Sequence, residues 1–292
     1  MTLLREHGIK LSRRVGQQQV IDVSILERMV DYAELSRDDV VLEIGAGIGN
    51  LTLLLAQRAG KVIAVERDKM LVRVLKKRLE NHPNVELLCG DALRIRLPKF
   101  KKVVANLPYS ISSDITFRLL EHKFELAVLM YQREFAERLV AKPGSDDYSR
   151  LTVNVHYRAS AELLDEVPPA AFFPQPKITS SIVRLRPREP PFEVRDEQIF
   201  SNVVRALFQH RRQRVRNALY HSFEEVFPKK CFSKVERKTL IDERLPKELA
   251  DARVMGLPPE KFGAIANLLT SPGTRRALAA PASAPCACGC PG

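Results

Sequence analysis

Val40-Val41-Leu42-Glu43-Ile44-Gly45-Ala46-Gly47-Ile48-Gly49-Asn50 decides the fold: five residues of strand type run straight into three glycines at alternate positions. The helical spacing of Leu51, Leu54 and Leu55 follows at once, so the stretch reads as a strand, a glycine turn and a helix start. Glycine lets backbone approach a ligand closely, and the first helical turn offers unpaired N–H groups. The spacing Gly-x-Gly-x-Gly differs from the dinucleotide fingerprint Gly-x-Gly-x-x-Gly, because Asn50 stands where the third glycine or an alanine would be.

Moving outward, Val62-Ile63-Ala64-Val65 is a second strand-like run and ends in Glu66, twenty-one residues after Gly45. An acid there can accept hydrogen bonds from both hydroxyls of a ribose. A third run from Val85 to Gly90 ends in Asp91, an acceptor suited to the amino group of an adenine. Alone, each acid is an ordinary loop residue. Three successive strand ends carrying Gly-x-Gly-x-Gly, Glu and Asp point instead to an adenosine-bearing ligand, since open α/β sheets bind at the carboxyl ends of their strands.

A fourth run, Val103-Val104-Ala105, leads into Asn106-Leu107-Pro108-Tyr109. An exocyclic amine on a base is a poor nucleophile because its lone pair is delocalised into the ring. Two acceptors aimed at its hydrogens favour the tetrahedral geometry that attack requires. The Asn106 side-chain oxygen and the Leu107 carbonyl are candidates for that pair, and the Tyr109 ring for stacking on the base. No strong general base is then needed, and no metal.

Together, Glu43 to Gly49, Glu66, Gly90-Asp91-Ala92 and Asn106 to Tyr109 resemble the S-adenosylmethionine-dependent methyltransferases of the KsgA type, which dimethylate adenosines of ribosomal RNA. Gly16-Gln17-Gln18-Gln19-Val20-Ile21-Asp22 resembles that family's amino-terminal Gly-Gln-Asn-Phe-Leu motif, and Phe172 to Ser181 its Phe-x-Pro-x-Pro-x-Val-x-Ser segment. The resemblance runs over roughly residues 10 to 270. It implies that Gln18, Val20, Gly45, Gly47, Glu66, Asp91 and Asn106 contact S-adenosylmethionine or lie against it. It further implies that the target adenine lies between Tyr109 and Phe172, with Phe173 a packing residue. The sequence departs from the pattern at Gln18-Gln19-Val20, where Asn-Phe-Leu is usual, which puts the cofactor contacts there in question.

The 292 residues carry 47 Lys and Arg against 35 Asp and Glu, a formal charge of +12, which calls for a polyanionic partner without identifying it. No apolar run approaches the roughly 18 residues expected of a membrane span, and a cytoplasmic protein is expected. The basic start, with Arg5, Lys10, Arg13 and Arg14, leaves organelle targeting as a minor alternative. Cys286, Cys288 and Cys290 lack the Cys-x-x-Cys spacing of structural zinc and follow an Ala/Pro-rich stretch, so a disordered tail is the expectation.

Alternating short apolar runs and helical patterns indicate a doubly wound α/β sheet. Later strands are expected at Leu126–Met130, Val153–Tyr157 and Ser181–Leu185, the last two as an antiparallel edge. Arg186-Pro187-Arg188-Glu189-Pro190-Pro191 reads as a linker to a small all-helical domain. The expected division is therefore 1–187 for the methyltransferase domain, 192–270 for a helical domain that positions the ribosomal substrate, and 271–292 for the tail. Beyond the linker, Val204, Phe208, Val215 and Leu219 share one helical face and Arg205, Arg212 and Arg216 another. The basic cluster there marks Arg211, Arg212, Arg214 and Arg216 as phosphate contacts. Arg133 and Arg138, on an amphipathic helix, stand undecided between RNA contact and solvent.

The expected activity is dimethylation of two adjacent adenosines near the 3′ end of small-subunit ribosomal RNA by a monomer whose partner is the small ribosomal subunit. The rivals are an antibiotic-resistance enzyme acting on large-subunit RNA, a DNA adenine methyltransferase, and a noncatalytic ribosome-assembly or transcription factor on the same fold.

Overall fold

The computed structural model describes residues 18–228 and 231–270; the Gly16-Gln17 half of the amino-terminal motif and the cysteine-rich tail lie outside them. The chain divides into two compact units. One ends at Val140 and resumes over Arg158–Glu189; the other comprises Ala141–Tyr157 and the chain from Pro190 onward.

The first unit holds strands β1 (Gln19–Val20), β2 (Val40–Ile44), β3 (Lys61–Glu66), β4 (Val85–Cys89), β5 (Lys102–Asn106), β6 (Leu126–Gln132), β7 (Ala159–Val167), β8 (Phe172–Phe173) and β9 (Ser180–Pro187). Its helices are α1 (Val23–Tyr32), α2 (Asn50–Arg58), α3 (Lys69–Arg78), α4 (Ser112–Leu120) and α5 (Arg133–Leu139). Seven strands form one sheet in the order β4-β3-β2-β5-β6-β9-β7. Strands β2 to β6 pair in parallel, while β9 runs antiparallel to β6 and β7 antiparallel to β9. β1 and β8 form a separate antiparallel pair.

The expected doubly wound sheet is thus present. Its strand order reverses at β2, which has β3 on one side and β5 on the other. Such a switch point opens a crevice at the carboxyl ends of the two flanking strands. The core over β2, β5 and β6 joins Val41, Val104, Val128 and Met130 to Leu26 and Met29 of α1 and Leu55 of α2. Asp22 caps α1 by accepting from Ser24 N at 3.0 Å, and Asp68 caps α3 by accepting from Met70 N at 2.8 Å.

The second unit is helical: α6 (Arg150–Arg158), α7 (Glu197–Gln209), α8 (Val215–His221), α9 (Phe223–Val226), α10 (Lys234–Arg244), α11 (Lys247–Asp251) and α12 (Pro259–Leu269). Its own core contains Tyr148, Val153, Phe200, Leu207, Phe223 and Phe262.

Three expectations are corrected here. Val153–Tyr157 is helical rather than a strand: Asn154 Nδ2 donates to the Arg150 carbonyl one turn back, and Val153 and Tyr157, four residues apart, enter the helical core together. Packing overrides the β-branched composition there, and the antiparallel edge is made by β7 with β9. Ala141–Tyr157 groups with the residues after Pro190, so a single first domain over 1–187 does not describe the path of the chain. The helix drawn through Val204 to Leu219 is two helices, broken between Gln209 and Val215 by a turn in which Gln213 N donates to the His210 carbonyl at 2.8 Å.

At the other end of the sheet from the crevice, Lys102 Nζ lies 3.0 Å from Asp39 Oδ2 and also donates to the Glu34 carbonyl; the two side chains are 11% and 5% exposed. Lys102→Ala leaves Asp39 buried without its cation, and a loss of ~3 kcal/mol or more in urea unfolding is expected. A loss below ~1 kcal/mol would show the pair to be as weak as a surface bridge.

Candidate active site

Three positive-φ glycines shape the turn after β2: Gly45 at 78°, Gly47 at 60° and Gly49 at 89°. Only glycine takes such angles without strain. Close approach adds a second constraint at Gly45, where a Cβ would come within 3.3 Å of Pro108 Cδ. The glycine turn and the Asn106–Tyr109 bend are therefore in contact, which joins the expected donor and acceptor sites.

Glu66 leaves the end of β3 and is 8% exposed. Its Oε2 accepts from Gly47 N and its Oε1 from Asp68 N, both at 2.8 Å. Each carboxylate oxygen keeps a second lone pair for an incoming hydroxyl. On the next strand end, Asp91 Oδ1 accepts from Leu93 N at 2.9 Å, which fixes the turn after β4. Gln18, Gly45, Glu66, Asp91 and Asn106 line one cleft of about 260 Å³. This donor and acceptor set fits a ribose and an adenine of the kind S-adenosylmethionine carries.

Asn106 Nδ2 donates to the Gln18 carbonyl at 3.0 Å. That bond fixes the amide plane and leaves Oδ1 without a donor among the described residues. The Leu107 carbonyl likewise takes no donor among them, while Leu107 N–H faces the Met130 carbonyl at 3.4 Å. Two acceptors in adjacent residues are thus free for an amine. Tyr109 is half-buried and its hydroxyl lies 2.7 Å from Ser180 Oγ. Burial raises its pKa, with the Ser180 bond opposing, so the phenol stays protonated and serves as a ring rather than a base.

Other expected residues are placed differently. Phe172 is 2% exposed and packs with Val20, Leu26 and Ile182, so it is not presented as a stacking ring; the half-buried aromatic of β8 is Phe173. Val20 is 3% exposed, and its carbonyl accepts from Asn50 Nδ2 at 3.1 Å, a supporting part rather than a cleft wall. Gly47 is covered by the Gln19 side chain, which would lie 2.3 Å from a Cβ there. Val20, Ile21, Ile48, Leu54 and Phe173 line a separate groove of about 480 Å³, larger and mainly apolar, with Gln19, Asn50, Gln57 and Arg78 also in its wall. It lacks the paired acids of the cleft.

In the helical unit, Arg211 pairs with Asp146 at 3.5 Å, while Arg214 and Arg216 both reach Asp251. Arg212 is exposed and has no ion pair among the described residues. Arg133 is held by Glu137 at 2.9 Å and faces Glu166 at 3.7 Å.

Sequence reasoning missed Gln19, Ser180 and Glu43. The first two act through contacts that no spacing encodes, but a charged residue inside an apolar strand was a signal for Glu43. It is 2% exposed and its Oε2 has no partner among the described residues. Burial pushes its carboxyl up to about 8; the Thr52 hydroxyl tempers the rise without completing a hydrogen bond, and the Glu66 charge adds to it. Glu43 is therefore neutral at pH 7.

The folded protein holds the Glu43 proton up to about pH 8, whereas the unfolded chain releases it near the ordinary 4.5. The stability this gives is complete below pH 4.5 and is lost as pH rises toward 8. Glu43→Gln, neutral at every pH, is expected to lose less stability than the parent between pH 5 and pH 8 in urea titrations. Parallel profiles for the two proteins would contradict the assignment.

A family model for ribosomal RNA adenine dimethylase matches residues 8–252. A probable ribosomal RNA small subunit methyltransferase A of Methanosarcina acetivorans is 47% identical over 268 residues, covering 92% of this chain and 97% of its own. The protein of the same description from Methanothermobacter thermautotrophicus is 48% identical, with 90% and 93% covered. Among solved structures, a dimethyladenosine transferase from Plasmodium falciparum superposes with a TM-score of 0.71 at 33% identity, covering 85% of this chain and 94% of that one. The 23S rRNA methyltransferase ErmE gives 0.62 at 30% identity, with 86% and 98% covered. With the cleft, the paired acceptors and these matches in agreement, the chain belongs to the ribosomal RNA adenine dimethylase family.

Proposed function

We propose that this protein dimethylates the exocyclic amines of two adjacent adenosines near the 3′ end of small-subunit ribosomal RNA, working in the cytoplasm as a monomer. The observation that carries the reading is the pair of unengaged acceptors, Asn106 Oδ1 and the Leu107 carbonyl, beside a cleft suited to adenosine. The small-subunit assignment is supported by relatives at 47% and 48% identity that are described as small-subunit methyltransferases. ErmE, described as acting on 23S rRNA, is less similar at 30%.

S-adenosylmethionine, when bound, would supply an electrophilic methyl group on a sulfonium; the amine nitrogen would take that methyl as the methyl–sulfur bond breaks to leave a neutral thioether, and the amine proton would pass to solvent. Glu66 and Asp91 would hold the ribose and adenine ends of the donor. Asn106 Oδ1 and the Leu107 carbonyl accept the amine hydrogens and draw the nitrogen toward tetrahedral geometry. Tyr109 offers its ring to an adenine taken out of its stack, and the hydrogen bond with Ser180 holds that ring in place. Because the first methylation leaves one N–H on the amine, one acceptor still has a hydrogen to engage in the second. Positioning supplies the rest of the acceleration. Arg211, Arg214 and Arg216 can meet phosphate by exchanging Asp146 and Asp251 for it, whereas Arg212 has no such exchange to make.

Labelled methyl transfer to undermethylated small subunits, large-subunit RNA and DNA, followed by nucleoside analysis, tests the reading. Dimethyladenosine in the small-subunit sample alone is expected. Label confined to large-subunit RNA would overturn the substrate, and cofactor binding without label in any sample would favour a noncatalytic assembly factor.

A further inference from the structure

We infer that the outer face of α3, together with the turn after β4, is a contact surface for the phosphate backbone of the RNA substrate; this rests on the proposed function. Lys69, Arg73, Lys76 and Lys77 are all exposed, while Leu71, Val72, Val74 and Leu75 between them are buried. Positions i, i+4, i+7 and i+8 share one helical face. That face carries four cations and no acid, and none of the four has an ion pair among the described residues. Arg78 turns away, donating to Asn50 Oδ1 at 3.0 Å.

A helix arranged for its own stability would mix signs, because like charges one turn apart repel. α10 does so, interleaving Glu236, Asp242 and Glu243 with its Lys and Arg residues. The helix dipole favours Lys76 and Lys77 in the last turn of α3 but disfavours Lys69 in the first. Dipole compensation therefore does not account for the whole stripe.

The stripe continues toward the cleft. Arg67 is exposed and lines the cleft that also holds Asn106. Gly90 N donates to the Glu66 carbonyl at 2.9 Å, so the chain segments leaving β3 and β4 start side by side. After β4, Arg94 is 88% exposed and Arg96 exposed, alternating with half-buried Ile95 and buried Leu97. The turn is firmly held: Arg94 N and Ile95 N both donate to the Asp91 carbonyl, and the Arg118 guanidinium holds the Ile95 carbonyl. The acids at the cleft end of the stripe are engaged inward, Asp68 on the first turn of α3 and Glu66 on Gly47 and Asp68, while the exposed Glu80 follows the last turn of the helix. Unlike Arg214 and Arg216, which share Asp251, these cations need displace no carboxylate to meet a phosphate, apart from a 3.9 Å approach of Arg94 to Asp91.

The test is the triple variant Arg73→Gln, Lys76→Gln, Lys77→Gln, which leaves the cleft untouched, against a control triple at Lys234, Lys238 and Lys247 of the helical unit. Binding of a labelled small-subunit rRNA 3′ fragment is measured across salt concentrations, and methyl transfer to undermethylated small subunits is followed in parallel. The α3 variant is expected to flatten the slope of log K against log salt by about 2. Its KM for subunits should rise about tenfold, with kcat, S-adenosylmethionine affinity and thermal unfolding unchanged. A slope and KM equal to the parent's, or equal changes in the control triple, would overturn the inference. Failure of the parent to methylate would fall on the functional reading instead.

Discussion

The hydrogen bond from Asn106 Nδ2 to the Gln18 carbonyl is the constraint on which the site depends. An amide has one donor end and one acceptor end, so committing the nitrogen to Gln18 leaves the oxygen as the free acceptor for the proposed amine. The bond spans 88 residues and ties the strand end of β5 to the segment entering β1. Beneath it, Gly45 meets Pro108 so closely that a Cβ would sit at 3.3 Å from the ring. Donor and acceptor halves of the site are thus parts of one packed arrangement at the switch point of the sheet.

Charge is divided within this arrangement according to burial. Glu43 is held neutral by its surroundings, which keeps a second negative charge from competing with Glu66 beneath the glycine turn. Glu66 is buried with its two oxygens accepting from the backbone N–H groups of Gly47 and Asp68. Cations lie outside, on α3 and in the turn after β4. The net charge of +12 is therefore not evenly spread: the cluster at Arg211–Arg216 is partly neutralised by Asp146 and Asp251, and α3 is not.

Much of this was legible in the sequence where local chemistry and tertiary role coincide. Glycines at 45, 47 and 49 imply a turn that only glycine tolerates, and the acids and amide at successive strand ends imply a shared crevice. Legibility failed where packing decides. Val153–Tyr157 has strand composition, yet its i,i+4 pair fills a helical core. Phe172 and Phe173 are adjacent and chemically identical, and only the pairing of β8 with β1 determines which ring is covered. The arginines near 211 are a basic cluster in one dimension, but Asp146 and Asp251, far away in sequence, alter their meaning in three. Among the described residues no helix is long and apolar enough to cross a membrane, in line with the absence of long apolar runs.

In the proposed reaction the Asn106 oxygen acts on the amine rather than serving only to hold the donor. Single-turnover methyl transfer by the parent and Asn106→Ala on undermethylated small subunits, with S-adenosylmethionine affinity measured directly on both, separates the two roles. A rate loss of about 100-fold or more at saturating donor is expected, with the donor Kd changed less than about threefold. A rate restored to the parent's once the donor is saturating would contradict it.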